Sequence, residues 1–352
     1  MHDLNTWPVI LESVIGGEDL TIGQAAWAME EVMQGRAADA QLGALLVGLR
    51  AKGESVEEII GFRDAVLANA RPLPGGSEML DIVGTGGDRL KTVNISTMAS
   101  VLVAATGVPV LKHGNRAVSS LSGTGDVLQV LGLVPEDEDP AVVRSIFEEV
   151  GVSFAHAARF HPGFAHAAPV RKALGIPTVF NILGPLVHHA RPEASALGVA
   201  DRTMIDTFVG VYATRGATAL VFRGEDGLDE VTTTGYTQIF EVSRGDVVEY
   251  SLDARELGIP RASIEDLRGG DPEHNARVVE AVFAGEIGPI RDIVRLNAAV
   301  GRATWSLHLD PREKDLPMLA RIGRELEIVT EALDDGRGAE KLQAWRSAVQ
   351  SR

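Results

Sequence analysis

The segment Asp81-Ile-Val-Gly84-Thr-Gly-Gly87-Asp88 ends an apolar run with three glycines in four positions. Glycines there let backbone N–H groups come close to an anion. A few residues on, Thr92-Val-Asn94-Ile95-Ser96-Thr97 puts hydroxyls and an amide before an apolar helical stretch. Free N–H groups and the dipole at a helix start favour a phosphate. Each segment has a plainer reading, as a glycine turn or a helix cap. Two such cradles so close together point to a phosphorylated ligand. The spacing matches neither the Gly-x4-Gly-Lys-Ser/Thr loop nor the Gly-x-Gly-x-x-Gly fingerprint, which argues against nucleoside triphosphates and dinucleotides.

A third cluster follows the apolar run 108–111: Lys112, His113, Gly114, Asn115, Arg116, Ala117, Val118, Ser119 and Ser120, with Thr124 just beyond. It offers two cations, an imidazole, an amide and two hydroxyls at a strand exit, where doubly wound folds bind ligands. From Gly84 to Gly123 the only acid is Asp88, against Arg89, Lys91, Lys112 and Arg116. A basic strip in a chain of net charge -16 suits an anionic ligand better than a solvated loop. Asp226-Gly-Leu-Asp229-Glu230 supplies adjacent carboxylates that repel unless neutralised. Alone it reads as an acidic turn; beside phosphate cradles it reads as hard oxygen ligands for Mg²⁺. Finally, Phe164 and Arg171 are seven residues apart in a helical stretch and share a face. That pairing suits a flat aromatic carboxylate, although a surface arginine is the commoner reading.

Composition bounds the rest. Of 352 residues, 45% are hydrophobic, enough for a sizeable core and two domains. The acidic balance disfavours nucleic acid as a partner. With no cysteine, disulfides and thiolate metal sites are excluded. The start of the chain does not read as a signal peptide, and no apolar stretch is long enough to span a bilayer, so a soluble cytoplasmic protein is expected.

The elements that must position these residues fall into two groups. Residues 1–72 read as helices, over 24–34, 37–49 and from a Ser55/Glu58 capping box to about 70. After the Pro- and Gly-rich residues 71–77, short apolar runs at 79–83, 108–111, 152–155, 178–180, 196–200 and 217–222 alternate with helical patterns. One of these, 141–150, is bounded by Asp139, Pro140 and Gly151. The alternation predicts an α/β domain with a mostly parallel central sheet. Residues 162–190 are partly helical and are expected to pack on the N-terminal helices, so the α/β domain takes 73–161 and 191–352. The tail from 316 reads as amphipathic helix.

Taken in order, GTGGD, NIST, KHGNRAVSS, the HP…APVRKALG helix, TVFNILGPL, DGLDE, LRGGD with the following Asn275, and GPIRDIVRLNAA resemble the anthranilate phosphoribosyltransferases over nearly the whole chain. The resemblance implies a small helical domain, a larger α/β domain and a homodimer formed through the helices. It implies transfer of phosphoribose from 5-phosphoribosyl-1-pyrophosphate to anthranilate, a step of tryptophan biosynthesis. Carried over by position, Gly84, Gly87, Asp88, Thr92, Asn94, Ile95, Ser96, Thr97, the loop Lys112 to Ser120 and Thr124 hold the phosphoribosyl donor. Ser96, Asp229 and Glu230 hold Mg²⁺; Gly84, Asn115 and Arg171 hold anthranilate. No general base stands out; His113 is the nearest candidate, and a histidine in such a loop is more often structural. Thr124-Gly125, Gln129, Gly163 and His188-His189 depart from the usual Ser-Ala, Glu, Ala or Ser, and Asn-Pro. Pyrimidine nucleoside phosphorylases and a non-catalytic nucleic-acid-binding relative are the alternatives. The first lacks its signatures here, and the second would be basic and lack the acidic pair.

Overall fold

The computed structural model describes residues 5–115 and 122–352. The chain opens with four helices, α1 (Trp7–Ile15), α2 (Ile22–Met33), α3 (Asp39–Lys52) and α4 (Val56–Ala68). α4 starts as its sequence dictates: Ser55 Oγ accepts from Glu58 N at 3.2 Å, and Glu58 returns by accepting from Ser55 N at 2.8 Å. A cap of this kind contributes about 1 kcal/mol. Then follow β1 (Leu80–Gly84), α5 (Ile95–Ala105), β2 (Val110–Gly114), α6 (Thr124–Val130), α7 (Pro140–Val150), β3 (Val152–His156), α8 (Ala157–Phe160), α9 (Phe164–Leu174), α10 (Val179–Leu186), β4 (Ala194–Gly198), α11 (Ile205–Arg215) and β5 (Thr218–Gly224). A hairpin, β6 (Tyr236–Ser243) and β7 (Asp246–Asp253), precedes α12 (Pro272–Phe283), α13 (Pro289–Leu309), α14 (Met318–Asp334) and α15 (Arg337–Gln350).

The sheet order is β3-β2-β1-β4-β5-β6-β7. The first five strands are parallel and the hairpin is antiparallel. The chain winds outward from β1 through β2 to β3, then resumes on the other side at β4. The reversal of winding therefore lies between β1 and β4, where Gly84 pairs with Gly198. In open α/β sheets the crevice at such a point is where ligands bind. The short apolar runs form strands as expected with one exception. Residues 178–180 do not form a strand: Thr178, in extended conformation, precedes α10, and its N–H donates to Asn181 Oδ1 at 3.0 Å. Three apolar residues carry no period that separates strand from helix, so the flanking cap decides.

The two larger apolar cores among the described residues flank the sheet. On one face α5, α12, α13, α14 and α15 bury residues such as Leu102, Leu296, Ile322 and Trp345 against Leu80, Ile82 and Leu220. On the other, Val83, Leu197, Val199 and Val221 are continuous with α10, α11 and the N-terminal helices. α9 packs on α2 and α3, and α10 on α3 and α4. Full burial of each large aliphatic side chain contributes about 1.5–3 kcal/mol, so the shared core ties the helices firmly to the sheet. Gly163 sits where α9 approaches α2; an added Cβ would meet the Met33 carbonyl oxygen at 2.8 Å.

Candidate active site

The acidic turn 226–230 folds back over the reversal point. Two glycines permit it: a Cβ on Gly198 would lie 1.7 Å from the Asp229 carbonyl oxygen, and one on Gly84 2.2 Å from Asp229 Oδ2. Within the turn, Asp226 is taken up locally, accepting from Leu228 N at 3.0 Å and from the Thr232 hydroxyl at 2.7 Å. The side chains of Asp229 and Glu230 instead reach across to the glycine loop and to α5. Asp229 Oδ2 accepts from Gly86 N at 2.7 Å, and Glu230 Oε1 accepts from Ser96 N at 3.0 Å. Gly86 and Gly87 have φ of 69° and 87°, the left-handed region that turns the loop after β1.

Lys112, near the end of β2, is buried, and its ammonium donates to Ile82 O at 2.6 Å and to Ser96 Oγ at 3.1 Å. Burial lowers its pKa, opposed by Asp81, Glu230 and Asp229. The carboxyls shift in the opposite sense. Burial, with Asp88 next in line, pushes Asp229 up to about 7; burial, with Asp229 next, pushes Glu230 up to about 8. Burial also raises Asp88, whose carboxyl hydrogen-bonds Asp229. Three hard carboxyl groups thus crowd together, with Lys112 as the buried ammonium beside them. That donor set fits a divalent cation completed by phosphate oxygens, the usual manner of binding Mg²⁺. The Ser96 hydroxyl oxygen faces the same group.

The remaining residues expected to hold the donor lie on the neighbouring segments. Asn94 precedes α5, and its Oδ1 accepts from Asn275 Nδ2 at 2.8 Å. Thr92 bridges to Arg268, Ile95 is buried in the core, and Thr97 is buried with its hydroxyl unpaired. Gly114 ends β2 against Thr124, the first residue of α6. Asn115 is exposed, and its carbonyl accepts from Gly125 N at 3.2 Å, so the departure at Gly125 lies on the backbone that fixes this loop. Arg116, Ala117, Val118, Ser119 and Ser120 lie outside the described residues.

Arg171 is not in hydrogen-bonding or ionic contact with this cluster. Its guanidinium lies 4.9 Å over the Phe180 ring, and Phe180 meets Phe164 edge-on at 5.5 Å. Phe164 in turn stacks on His161, which meets His113. An aromatic path therefore runs from Arg171 to the residue beside Lys112. Among the described residues no carboxylate pairs with Arg171, and burial lowers its pKa. A half-buried cation against aromatic rings, with no acid paired to it among the described residues, has the chemistry to receive an aromatic anion. His113 is buried and held well below its usual pKa, first by burial.

Three residues position the site although the sequence does not show what they touch. Phe180 falls in an apolar run that reads as a strand. Asn297, on α13, accepts from Val231 N and donates to Val231 O, both at 2.8 Å, clamping the end of the acidic turn. Asn275 links the segment 268–270 to Asn94. The two asparagines fall in the stretches LRGGD with Asn275 and GPIRDIVRLNAA, but nothing in their spacing shows which backbone groups they hold.

Fold and site together define a glycosyl transferase built from a helical bundle and an a/b domain. Models of those two parts, described as the helical bundle domain and the a/b domain of a glycosyl transferase family, match residues 8–70 and 76–318. The chain is 54% identical to the anthranilate phosphoribosyltransferase of Leifsonia xyli over 99% of its length and all of the relative's. It is also 54% identical to that of Clavibacter michiganensis, over the whole of both. The chain belongs to the anthranilate phosphoribosyltransferase family. Among solved structures, the enzyme from Thermus thermophilus superposes with a TM-score of 0.86 at 36% identity, covering 97% of this chain and 99% of that one. The Saccharomyces cerevisiae enzyme, solved in complex with PRPP and Mg, has the same fold at a TM-score of 0.85 and 24% identity, each chain covered to 99%.

Proposed function

We propose that this chain joins anthranilate to 5-phosphoribosyl-1-pyrophosphate, giving N-(5-phosphoribosyl)anthranilate and pyrophosphate. The observation that carries this reading is the meeting of Lys112, Ser96, Asp229 and Glu230 at the reversal of strand order, beside the loop Gly84 to Asp88. The donor's phosphates lie against that loop, the start of α5 at Asn94 to Thr97, and the loop from Lys112 with Thr124. Ser96, Asp229 and Glu230 hold Mg²⁺, which when bound neutralises charge on the departing pyrophosphate.

Lys112 adds a fixed positive charge that is already desolvated, so it needs little reorganisation as the C1–oxygen bond breaks. Arg171 pairs with the anthranilate carboxylate over Phe180, and Asn115 and Gly84 orient the ring. The amine attacks C1 as pyrophosphate leaves, and the proton it sheds passes to solvent or to the product phosphate. An aromatic amine is uncharged at neutral pH, so no base is needed before attack, and positioning supplies much of the rate. Buried and weakly basic, His113 shapes the site without serving as the base.

We assign residues 1–72, with part of 162–190, to a helical domain and the rest to the donor-binding domain. We also infer a cytoplasmic homodimer through the helices. The support for the dimer is the family resemblance; Val9, Ile22 and Val47 on α1, α2 and α3 are exposed apolar side chains of the helical domain, each more than 40% exposed. No helix among the described residues is long and apolar enough to cross a membrane.

Loss of anthranilate fluorescence with stoichiometric pyrophosphate release, dependent on Mg²⁺, tests the reaction. Asp229→Asn should weaken metal and pyrophosphate binding more than anthranilate binding, and unchanged Mg²⁺ dependence in that variant would refute the metal assignment. Phosphorolysis of thymidine instead would favour the phosphorylase reading. Light scattering of the eluted protein tests the dimer.

A further inference from the structure

A second group of metal-ligating side chains lies outside the carboxylate cluster. His113 lies near the end of β2, His161 follows α8, and His189 sits in the turn between α10 and β4. One ring nitrogen of each lies within 4.8 Å of the others, the one such trio among the described residues. Their exposures are 3%, 2% and 8%. Nε2 of His113 and both ring nitrogens of His161 and of His189 have no hydrogen-bond partner. The Val187 carbonyl is near enough to His161 to favour its charged form without reaching hydrogen-bond geometry. Five unpaired polar atoms in one buried place are unusual, because such groups are nearly always satisfied.

Their chemistry is uniform. Burial disfavours the imidazolium form of each ring, holding His161 down to about 4 and His113 and His189 lower than ordinary histidines. All three present neutral imidazole, the form that ligates metals. The neighbouring His188 is already engaged. It donates from Nε2 to Leu111 O at 2.9 Å and accepts from Ala190 N at 3.1 Å, bracing the turn that carries His189.

We propose that His113, His161 and His189 form a three-nitrogen site for a borderline divalent transition metal, zinc above all, distinct from the carboxylate site for magnesium. Nitrogen donors without carboxylate select zinc, cobalt, nickel or copper over magnesium. Three imidazoles leave a fourth position open for water. Bonds of about 2.0–2.1 Å in a tetrahedron place nitrogens about 3.3 Å apart, so the rings draw together by about an ångström on binding. The ion ties the end of β2 to the start of α9 and to the turn before β4. Asn115 and Arg171 both lie on these segments, so occupancy stiffens the acceptor side of the site.

The test uses the full chain without an affinity tag, expressed in zinc-supplemented medium and dialysed against excess Mg²⁺. Metal analysis should find about one zinc per chain. Cobalt loaded in its place should show the visible bands of a four-coordinate ion, and the copper-loaded protein should show three imidazole nitrogens by electron paramagnetic resonance. His189→Asn and His161→Asn should weaken zinc binding at least about 100-fold, since losing even an outer-shell partner commonly weakens it 10–100-fold. Exposed His166→Ala and the carboxylate variant Asp229→Asn should retain the zinc. Absence of retained zinc together with absence of the cobalt bands in the folded wild-type protein overturns the site. So does binding of unchanged affinity in a folded His189→Asn or His161→Asn protein, or a copper spectrum without three imidazoles.

Discussion

Gly84 lies against Asp229, so close that a methyl group on its Cα would come within 2.2 Å of Oδ2. The carboxylate keeps its position only because β1 ends without a side chain. Gly84→Ala should displace Asp229 and with it the bond from Gly86 N. We expect a loss of about 1–3 kcal/mol in stability from overpacking and a fall in kcat of about 100-fold from misplacement. Thermal melting and steady-state kinetics separate the two; a variant with wild-type kcat would show that the turn is not held by this contact.

Lys112→Met keeps most of the side-chain volume and removes the ammonium. Its hydrogen bond to Ser96 is lost and Glu230 loses its nearest cation. The expected result is a drop of about 10²–10³ in kcat/KM for the phosphoribosyl donor, with weaker Mg²⁺ dependence and little change in the KM for anthranilate. An equal effect on both substrates would indicate general loss of structure.

On the acceptor side the aromatic path divides the roles. Arg171→Ala should raise the KM for anthranilate about 10–100-fold, the loss expected for a charged hydrogen bond, and leave the donor KM unaltered. Phe180→Leu removes only the ring beneath the guanidinium and should cost a few-fold, corresponding to about 0.5–1 kcal/mol.

Asp229 and Glu230 set a pH dependence whose sign follows from their raised pKa values. Below the unfolded values near 4 both states are protonated, and the contribution to stability is fully present. From about pH 4 upward the unfolded chain is ionised while the folded protein still holds these protons, so stability falls with rising pH until the buried carboxyls ionise at about 7 and 8 and the loss is complete. Magnesium requires the ionised forms, so the rise in Tm that it produces should be larger near about pH 8.5 than near about pH 6. Melting curves at both values, with and without the ion, decide this; a larger effect at the lower pH contradicts the assignment.

Much of this arrangement is legible because its signals are local. Ser55 with Glu58, and Asp139 with Pro140 and Gly151, carry their caps within a few residues, and the helices begin and end there. Gly84 to Asp88, Ser96 and Lys112 stand out because glycine, hydroxyl and cation sit at strand exits and a helix start. What cannot be read depends on distant partners. Residues 178–180 are too short a run to reveal helix. The β6–β7 hairpin gives only a short signal, because β7 is largely exposed and its apolar face is just the alternation of Val248, Tyr250 and Leu252. His113, His161 and His189 are 48 and 28 residues apart in turn, and nothing in that spacing says that their rings meet.

The clamp of Asn297 on Val231 spans 66 residues of chain. The acidic turn can take its final shape only after α13 has docked, because two of its last hydrogen bonds come from that helix. Catalytic competence is therefore acquired late on the folding path, after most of the parallel strands have had the opportunity to pair. During refolding from denaturant, helical signal should recover ahead of enzymatic turnover, and a nascent chain that ends before α13 should be a folded scaffold at most, never a working enzyme.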